Sequence, residues 1–371
     1  MRIIFTGGGT AGHVYPLLSV IRELKKNYPF AGFEFLYLGP KDKFVKSVLA
    51  FEGVKVKTVL AGKYRRYFSF KNILDVFKIP IGIIQAFYHV FVFSPELIFS
   101  KGGYGSIPTI LAGWFLQAPI FLHESDVVPG LANRIGSRFA VEIFISFSIK
   151  ETEYFPAQKM LSVGNPIRTE LLKGSEKEAK RVFSLTGEKP VVLIMGGSQG
   201  AQKVNDKMLS VLPEMLNDFE VIHQTGKNNF KQVQEESKVI ITDNARKYYH
   251  PVPFMDIKEM AHALKRADLI ISRAGSGSIF EIAALGKPCI LVPLEGSAQN
   301  HQIRNAYAIS QRGAALVIEE PDFRPHFVLE KIKLLFSNPE KMKDLGNRMK
   351  EFSRPYAAKV IAEYLMAYLS Q

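Results

Sequence analysis

A unit made of an apolar strand, a glycine-rich loop and a helix opens each half of this chain, and the repeat strongly constrains the fold. In the first half, residues 3–6 form an apolar run that leads into glycines at 7–12, and a helical pattern follows. In the second half, residues 191–195 lead into the glycine-rich loop 196–200, again before a helical pattern. Strands that alternate with helices form a parallel sheet covered on both faces. We therefore predict an α/β protein with two tandem Rossmann-like domains.

Further apolar runs continue the alternation in both halves. The other predicted strands are residues 33–38, 97–100, 120–123 and 143–147 in the first half, and 220–223, 269–272 and 289–293 in the second. A chain of 371 residues is too long for a single core. Gly164, Asn165 and Pro166 punctuate it near the middle. We predict domains over 1–163 and 167–350, with a last helix at about 355–371 that can pack back on the first domain.

The charge balance and the single cysteine limit the class of protein. The net charge is +13, which indicates a polyanionic partner: nucleic acid, anionic lipid or a phosphorylated substrate. One cysteine, Cys289, excludes an internal disulfide, is typical of a reducing compartment, and lies in an apolar run that predicts a buried strand residue. No secretory signal pattern opens the sequence. Charged and polar residues interrupt its most apolar stretch, 73–93, which disfavours a membrane-spanning helix.

The first glycine loop has the spacing of a diphosphate-binding turn. Gly7, Gly9 and Gly12 match G-x-G-x-x-G, in which glycines allow close backbone approach to phosphate. A dinucleotide site also needs an acid at the end of the second strand, and Leu38 is followed there by glycine and proline, which disfavours NAD. His13 stands at the following helix start, where the dipole opposes protonation. It is either a neutral general base or a solvated capping histidine.

Three polar segments of the second half follow predicted strands and suit a nucleotide sugar. Ser198 lies in the second glycine loop, as a phosphate contact or in a plain turn. Residues 276–278 could direct donors at an anion, and Glu281 is either the acid of a capping box or a carboxylate for ribose hydroxyls. Residues 299–302 carry amide and imidazole groups for sugar hydroxyls, although polar surface loops of this kind are common.

Metal-binding patterns are missing from the sequence. His123 and Glu124 follow an apolar strand, but Val127 occupies the position where H-E-x-x-H has its second histidine. The sequence also contains no Asp-x-Asp pair. We therefore expect a site without a metal ion.

The segment 63–101 combines basic and apolar side chains. It has two acids, Asp75 and Glu96, against six basic residues: Lys63, Arg65, Arg66, Lys71, Lys78 and Lys101. Phenylalanine and isoleucine are frequent between them. This combination is typical of a helix that lies on a membrane surface. The alternative is a long core helix with a solvated basic face, and the aromatic content favours the membrane contact.

Taken together, these motifs resemble the MurG family of peptidoglycan N-acetylglucosaminyltransferases. The matching segments span nearly the whole chain, in the family's order: 7–13 (GGGTAGH), 102–104 (GGY), 123–124 (HE), 129–133 (PGLAN), 164–168 (GNPIR), 196–201 (GGSQGA), 272–281 (SRAGSGSIFE), 284–288 (ALGKP) and 300–302 (NHQ).

The resemblance implies the GT-B glycosyltransferase fold, in which a cleft lies between the domains, and a hexosyltransferase without metal or cofactor. GlcNAc would pass from UDP-GlcNAc, with inversion, to the C4 hydroxyl of MurNAc-pentapeptide on undecaprenyl diphosphate. That step converts lipid I to lipid II in peptidoglycan synthesis. The N-terminal domain would bind the acceptor and an anionic membrane surface, peripherally at the cytoplasmic face of the bacterial inner membrane. The resemblance implies no nucleic acid partner, and other cell-wall synthesis proteins are further candidates.

The resemblance also implies site residues. His13 is our candidate catalytic base. The residues that would contact UDP-GlcNAc are Thr10, Ala11, Gly12, Asp126, Arg168, Ser198, Met255, Ser276, Gly277, Ser278, Ile279, Phe280, Glu281, His301 and Gln302. Those that would meet the acceptor diphosphate are Gly8, Gly9, Gly102, Gly103 and Tyr104. Under this interpretation Glu281 and Ser198 are ligand contacts rather than a cap and a plain turn.

Two positions depart from the family pattern, and three other functions stay open. Asp126 stands where the family has a donor-binding asparagine and lacks its N–H donors. Ala11 replaces a glycine. Another GT-B enzyme, such as a UDP-GlcNAc 2-epimerase or a glycolipid galactosyltransferase, is one alternative. A Rossmann oxidoreductase and a non-catalytic membrane scaffold for cell-wall enzymes are the others.

Overall fold

The computed structural model describes residues 1–62, 70–196 and 202–371. The chain divides into two compact units. The first consists of Met1–Arg168 together with Pro355–Gln371, and the second of Thr169–Arg354. The C-terminal segment therefore belongs to the first unit, although the chain passes through the whole second unit to reach it.

A parallel sheet of seven described strands forms the centre of the first unit. Its strands are β1 (Arg2–Thr6), β2 (Glu34–Gly39), β3 (Lys55–Thr58), β4 (Leu97–Ser100), β5 (Ile120–Glu124), β6 (Glu142–Ile145) and β7 (Met160–Ser162), in the order β3-β2-β1-β4-β5-β6-β7. Its α-helices are α1 (Ala11–Asn27), α2 (Lys43–Phe51), α3 (Phe70–Phe93), α4 (Ile107–Phe115), α5 (Leu131–Gly136) and, from the C-terminal segment, α14 (Ala357–Leu369).

Helices cover both faces of this sheet because its strands are apolar on both sides. On one face, Phe5 and Phe99 pack in a core with α1 and α14. On the other, Ile4 and Ile98 share a core with residues of α3 and α4. The α14 helix buries Ile361 and Leu365 in the first of these cores, which fixes the C-terminal segment on the first unit.

The α3 helix packs against the sheet along one side only. Gly82, Ala86 and Val90, spaced four residues apart, are buried. A side chain at Gly82 would collide with the backbone oxygen of Leu60, so only glycine allows this approach. The opposite side of α3 carries exposed apolar residues, such as Ile84 and Phe91, whereas the alternative of a core helix with a solvated basic face would expose mainly basic ones.

The second unit repeats the architecture with a parallel sheet of six described strands. These are β8 (Val191–Met195), β9 (Glu220–Gln224), β10 (Tyr249–Val252), β11 (Leu269–Ser272), β12 (Cys289–Leu291) and β13 (Leu316–Val317), in the order β10-β9-β8-β11-β12-β13. Its α-helices are α6 (Glu176–Val182), α7 (Gln202–Asp218), α8 (Phe230–Ile240), α9 (Ile257–Arg266), α10 (Ser276–Leu285), α11 (His301–Ser310), α12 (Pro325–Phe336) and α13 (Pro339–Phe352). The predicted pair of parallel α/β domains is confirmed.

All nine strands predicted from the sequence are present, and they occupy interior positions of the two sheets. Four strands were not predicted, and each lies at a sheet edge: β3, β7, β10 and β13. Cys289 is fully buried in β12, as its apolar setting predicted. Among the described residues, no helix is both long and apolar enough to cross a membrane.

Candidate active site

The first site lies at the carboxyl ends of β1 and β4, in the middle of the first sheet. Here the strand order reverses, and parallel α/β sheets bind ligands in the crevice that such a reversal leaves. The glycine loop 7–9 follows β1, and Lys101, Gly102 and Gly103 follow β4. The sequence placed both loops in one diphosphate site, and the fold brings them into contact.

Glycine is required on the β4 side of this contact. Gly102 and Gly103 have φ angles of 81° and 82°, which L side chains rarely adopt. A Cβ atom on Gly103 would lie 3.0 Å from the Gly8 Cα atom and 3.0 Å from His13 Nε2. The two loops and the histidine are therefore packed closely, and the Gly102 amide donates to the Ser100 hydroxyl at 3.1 Å.

His13 occupies the first turn of α1 and is half-buried. Its Nδ1 atom is 2.7 Å from the Thr10 hydroxyl oxygen. Burial, assisted by the Lys101 charge and opposed by Asp126, lowers the pKa of His13 to about 4. The imidazole is thus neutral at physiological pH, as expected, but burial is the main physical cause rather than the helix dipole that the sequence suggested.

Tyr37 hydrogen-bonds to the backbone of the first glycine loop. The sequence analysis did not identify it as a site residue. It lies fully buried in β2, and its hydroxyl donates to the backbone oxygen of Gly7 at 3.1 Å. Burial, with smaller contributions from Asp42 and Tyr104, raises its pKa well above the usual value. The phenol therefore stays protonated and holds the loop backbone in place.

Glu124, at the end of β5, organises the next loop. The carboxylate is 4% exposed and accepts four N–H bonds within the first unit. The donors are the backbone amides of Ser125 (2.8 Å), Asp126 (3.0 Å) and Gly130 (3.2 Å) and the Asn133 side-chain amide (2.9 Å). This set places Asp126 beside the crevice, near His13. The pattern explains the His-Glu motif as structural support rather than metal ligation.

Lys101 is the residue at this site that the sequence analysis misplaced. It was counted with the basic membrane-facing residues, but its side chain is only 3% exposed. It lies among Glu124, Asp126, His13 and His123, as the electrostatic effects between them show. Burial lowers the pKa of Lys101, and the two carboxylates oppose that effect. The sequence feature that could have indicated its burial is its position between an apolar strand and two glycines.

The second site lies at the equivalent reversal of the second sheet, at the carboxyl ends of β8 and β11. The α10 helix begins there at Ser276. Its N-cap is Gly275, which has no side chain to accept from the first N–H groups of the helix. The first N–H groups of a helix have no intrahelical acceptor, and the helix dipole is positive at this end. Residues 276–278 therefore carry N–H groups that can donate to an anion.

The capping-box alternative for Glu281 is excluded by where α10 begins. Gly275 occupies the N-cap position, so Ser278 is three residues inside the helix and cannot act as its cap. Glu281 is half-buried in the second turn. Ile279 and Phe280, with exposures of 0% and 1%, point into the core, so that only their backbone atoms are available to a ligand.

A buried ion pair fixes the turn that precedes α10. Arg273 Nη1 donates to Glu320 Oε2 at 3.0 Å and to the backbone oxygen of Val292 at 3.3 Å. Lys203 pairs with the other oxygen of Glu320 at 2.9 Å. These contacts join the ends of β11 and β12 and so fix the turn between β11 and α10.

Two predicted sugar contacts begin α11, next to this turn. The Asn305 side chain of α11 donates to the backbone oxygen of Ala274 at 3.3 Å, which holds the helix beside α10. His301 Nδ1 lies 2.6 Å from the Ala298 backbone oxygen. Gln302 Oε1 accepts from the Leu294 amide at 3.0 Å. Both side chains are half-buried and anchored within their own loop.

Three further predicted contacts lie elsewhere. Met255 follows β10 and is 2% exposed, so that a ligand could meet only its backbone. Arg168 is the last residue of the first unit, although the predicted second domain, 167–350, includes it, and its guanidinium lies 4.8 Å from the Tyr15 ring centre. Ser198 lies outside the described residues.

An exposed apolar area, here called the α3–α4 surface, lies on the first unit. Phe87 packs its ring against Phe91 at 6.4 Å and against Phe115 of α4 at 5.6 Å. The exposed apolar residues of this surface are Ile79, Ile81, Ile84, Phe87, Tyr88, Phe91 and Val92 on α3, with Trp114 and Phe115 on α4. Monomeric soluble proteins rarely leave so many large apolar side chains together in water. Lys63, Arg65 and Arg66, predicted to flank it, lie outside the described residues.

Across the part of the chain that the structure describes, no group of three or more His, Cys, Asp or Glu side chains is arranged to hold a metal ion.

Comparison with known proteins matches both halves of the chain. The N-terminal domain model of glycosyltransferase family 28 matches residues 3–145, and the C-terminal domain model of that family matches residues 191–361. A protein of Bacillus cereus (strain ATCC 14579), named UDP-N-acetylglucosamine–N-acetylmuramyl-(pentapeptide) pyrophosphoryl-undecaprenol N-acetylglucosamine transferase 2, is 36% identical over 98% of both chains. A Clostridium tetani protein named as the same transferase, without the numeral, is 36% identical over 93% of both chains.

Solved structures agree in fold. The crystal structure of Acinetobacter baumannii MurG superposes with a TM-score of 0.75 at 24% identity, covering 99% of each chain. A UDP-GlcNAc 2-epimerase from Neisseria meningitidis, solved with UDP-GlcNAc, gives a TM-score of 0.70 at 17% identity over 99% of this chain and 100% of that one. The two domain models together cover most of the sequence, and the relatives align over nearly all of it. The chain therefore belongs to glycosyltransferase family 28.

Proposed function

We propose that this protein transfers N-acetylglucosamine from UDP-GlcNAc to the C4 hydroxyl of MurNAc-pentapeptide on undecaprenyl diphosphate, with inversion, and so forms lipid II from lipid I. The names of its curated relatives support this reaction. The observation that carries the proposal is His13: a neutral imidazole at the meeting point of two glycine loops. Such a group is suited to remove a hydroxyl proton beside a bound diphosphate.

The acceptor binds to the first unit in this proposal. Its diphosphate meets the two glycine loops, at Gly8 and Gly9 and at Gly102 and Gly103, which leaves the sugar hydroxyl near His13. For Nε2 to accept a proton, Nδ1 must carry the ring hydrogen and donate it to the Thr10 oxygen, 2.7 Å away. Thr10 thus selects the reactive tautomer and holds the ring toward the Gly103 loop.

The donor binds to the second unit. Its diphosphate lies at the start of α10, where the N–H groups of residues 276–278 receive negative charge. Glu281 accepts the ribose hydroxyls, the backbone at Met255 meets the uracil, and His301 and Gln302 bind the sugar. As the acceptor oxygen bonds to the anomeric carbon, the bond to the diphosphate breaks and UDP leaves. The α10 N-terminus, with Arg168, stabilises that leaving charge.

In this proposal the α3–α4 surface binds the inner membrane at its cytoplasmic face. Its apolar side chains enter the interface between head groups and acyl chains, and an excess of basic residues over the chain favours anionic lipid. The lipid-linked acceptor is then available in the same plane as the first unit.

Transfer of label from UDP-GlcNAc to a short-chain lipid I analogue tests the proposal directly, with and without EDTA. Product formation that persists in EDTA is expected, because the proposed leaving-group stabilisation uses protein N–H groups and a guanidinium. Formation of UDP-ManNAc without acceptor would instead identify an epimerase. Binding of lipid without release of UDP would identify a scaffold and refute catalysis.

A further inference from the structure

We propose that the free edge of β13, together with the cavity beside it, binds an extended acidic polypeptide segment, which adds to the second sheet as a further strand. The site lies on the second unit and uses none of the residues to which a catalytic or substrate-binding role is given above. This interaction is additional to the proposed transfer reaction. Its test measures binding alone, so that the two can fail separately.

Backbone groups of β13 point to the open side of the sheet. The strand pairs with β12 on one side only, Leu316 opposite Ile290 and Val317 opposite Leu291. The Ile318 amide donates to the Leu291 oxygen at 3.0 Å. Successive residues of a strand direct their N–H and C=O groups to alternate sides, so those of Val317 point to the free edge. Another strand can pair with them.

The side chains of β13 do nothing to prevent such pairing. Two other edge strands are protected, β3 by Lys55 and Lys57 and β10 by Pro251, because lysine and proline at an edge disfavour strand addition. The β13 strand consists of Leu316 and Val317, and both are partly exposed. Its edge is therefore accessible to a partner.

A cavity of about 570 Å³ lies beside this edge, within the size range of ligand-binding pockets. Tyr307 of α11 lines it, and so do Phe327, Lys331 and Leu334, which lie on one face of α12. Phe327 and Leu334 are 45% and 55% exposed, so a partner that covers them gains from the hydrophobic effect. The side chains of an added strand thus have an apolar surface to contact.

The charges around the cavity favour an acidic partner. Arg324, Lys331 and Lys341 line it, against two acids, Glu319 and Asp322. The Glu319 carboxylate already accepts a hydrogen bond from the tyrosine hydroxyl of α11 at 2.5 Å. None of the three cations forms a salt bridge with another residue that the structure describes. Carboxylates on the added segment would supply the missing partners.

The experiment uses the full-length protein and a fluorescently labelled, amidated peptide, Glu-Val-Glu-Val-Glu-Val-Glu, whose binding is measured by fluorescence polarisation. One comparison peptide has proline in place of the central valine, and another has lysine in place of every glutamate. The test variant is Lys331→Glu/Lys341→Glu. Its matched control, Lys177→Glu/Lys231→Glu, reverses two exposed lysines on α6 and α8. Hydrogen exchange with mass spectrometry follows the Val317 amide.

The wild type should bind the glutamate peptide with a Kd on the order of 10–100 µM and exchange the Val317 amide more slowly when it is bound. The proline and lysine peptides should bind at least about tenfold more weakly, because one lacks the backbone donor and the other repels the cations. The Lys331→Glu/Lys341→Glu variant should lose a similar factor, and the control variant should bind like the wild type. If the test variant does not fold, the three peptides on the wild type still decide.

No binding of the glutamate peptide below about 1 mM would overturn the inference. Equal affinity for the proline peptide, or displacement by dodecanoate with unchanged exchange at Val317, would identify a site for small amphipathic anions instead. A control variant that loses affinity as strongly as the test variant would show unspecific attraction. Dimers in sedimentation velocity that Lys331→Glu/Lys341→Glu dissociates would assign the edge to a second copy of the chain and refute the peptide.

Discussion

Replacing three exposed side chains of the α3–α4 surface with serine should release the protein from anionic vesicles. The proposed variant is Ile84→Ser/Phe91→Ser/Phe115→Ser, whose wild-type side chains are 70%, 66% and 70% exposed. Full burial of a large apolar side chain contributes about 1.5–3 kcal/mol. With roughly two-thirds of each still available to a membrane, the three together supply about 3–6 kcal/mol.

That free energy corresponds to a factor of about 150 to 20,000 in the partition coefficient. One lysine near an anionic leaflet contributes on the order of 1 kcal/mol, so the apolar residues outweigh a single flanking cation such as Lys78. Raising the salt concentration should therefore weaken wild-type binding less than the triple substitution does. Because the substituted side chains are exposed, the thermal unfolding midpoint should stay within about 3 °C of the wild type.

Vesicle co-sedimentation, with and without anionic lipid, measures the effect. A control variant removes three even more exposed apolar side chains from elsewhere in the chain: Phe30→Ser/Phe51→Ser/Val239→Ser, at positions exposed by 100%, 89% and 86%. The control should partition like the wild type. If it loses binding as strongly as the α3–α4 variant, or if the latter loses less than about fivefold, the assignment of this surface to the membrane is wrong.

Four further substitutions test the two sites. His13→Ala should cut turnover by about 100-fold or more while UDP-GlcNAc affinity changes little, and the acid limb due to this group should lie near pH 4 in the wild type. Thr10→Val should lower kcat with an unchanged KM for the donor, because the reactive tautomer loses its partner. Gly103→Ala should destabilise the fold by about 1–3 kcal/mol in urea unfolding, since φ is 82° there. Glu320→Gln should cost about 3 kcal/mol at pH 7 by leaving Arg273 uncompensated. Burial works to raise the pKa of Glu320, but its two cations lower it below 4.5, so this difference should shrink as acid protonates the wild-type carboxylate.

Sequence alone determined the architecture because the interior strands of a parallel sheet are apolar over their whole length. Runs such as Val191–Met195 and Leu269–Ser272 are buried on both faces and leave little ambiguity. The four missed strands are edge strands, which are short and often polar. Lys55–Thr58, for example, alternates lysine with valine and threonine and is largely exposed. A strand of this kind is recognisable only from the neighbour with which it pairs.

In the two candidate sites, too, the sequence predicted some features and only the tertiary structure determined others. The first glycine loop and the start of α10 were predictable, because backbone conformation and free N–H groups depend on local sequence. The positions of Lys101, Tyr37 and Glu124 were decided by the tertiary structure, which brings together strand ends more than 20 residues apart in the chain. Burial and charge compensation are properties of those assembled neighbours. For this reason a lysine that the sequence assigned to a membrane surface lies instead beside a catalytic candidate.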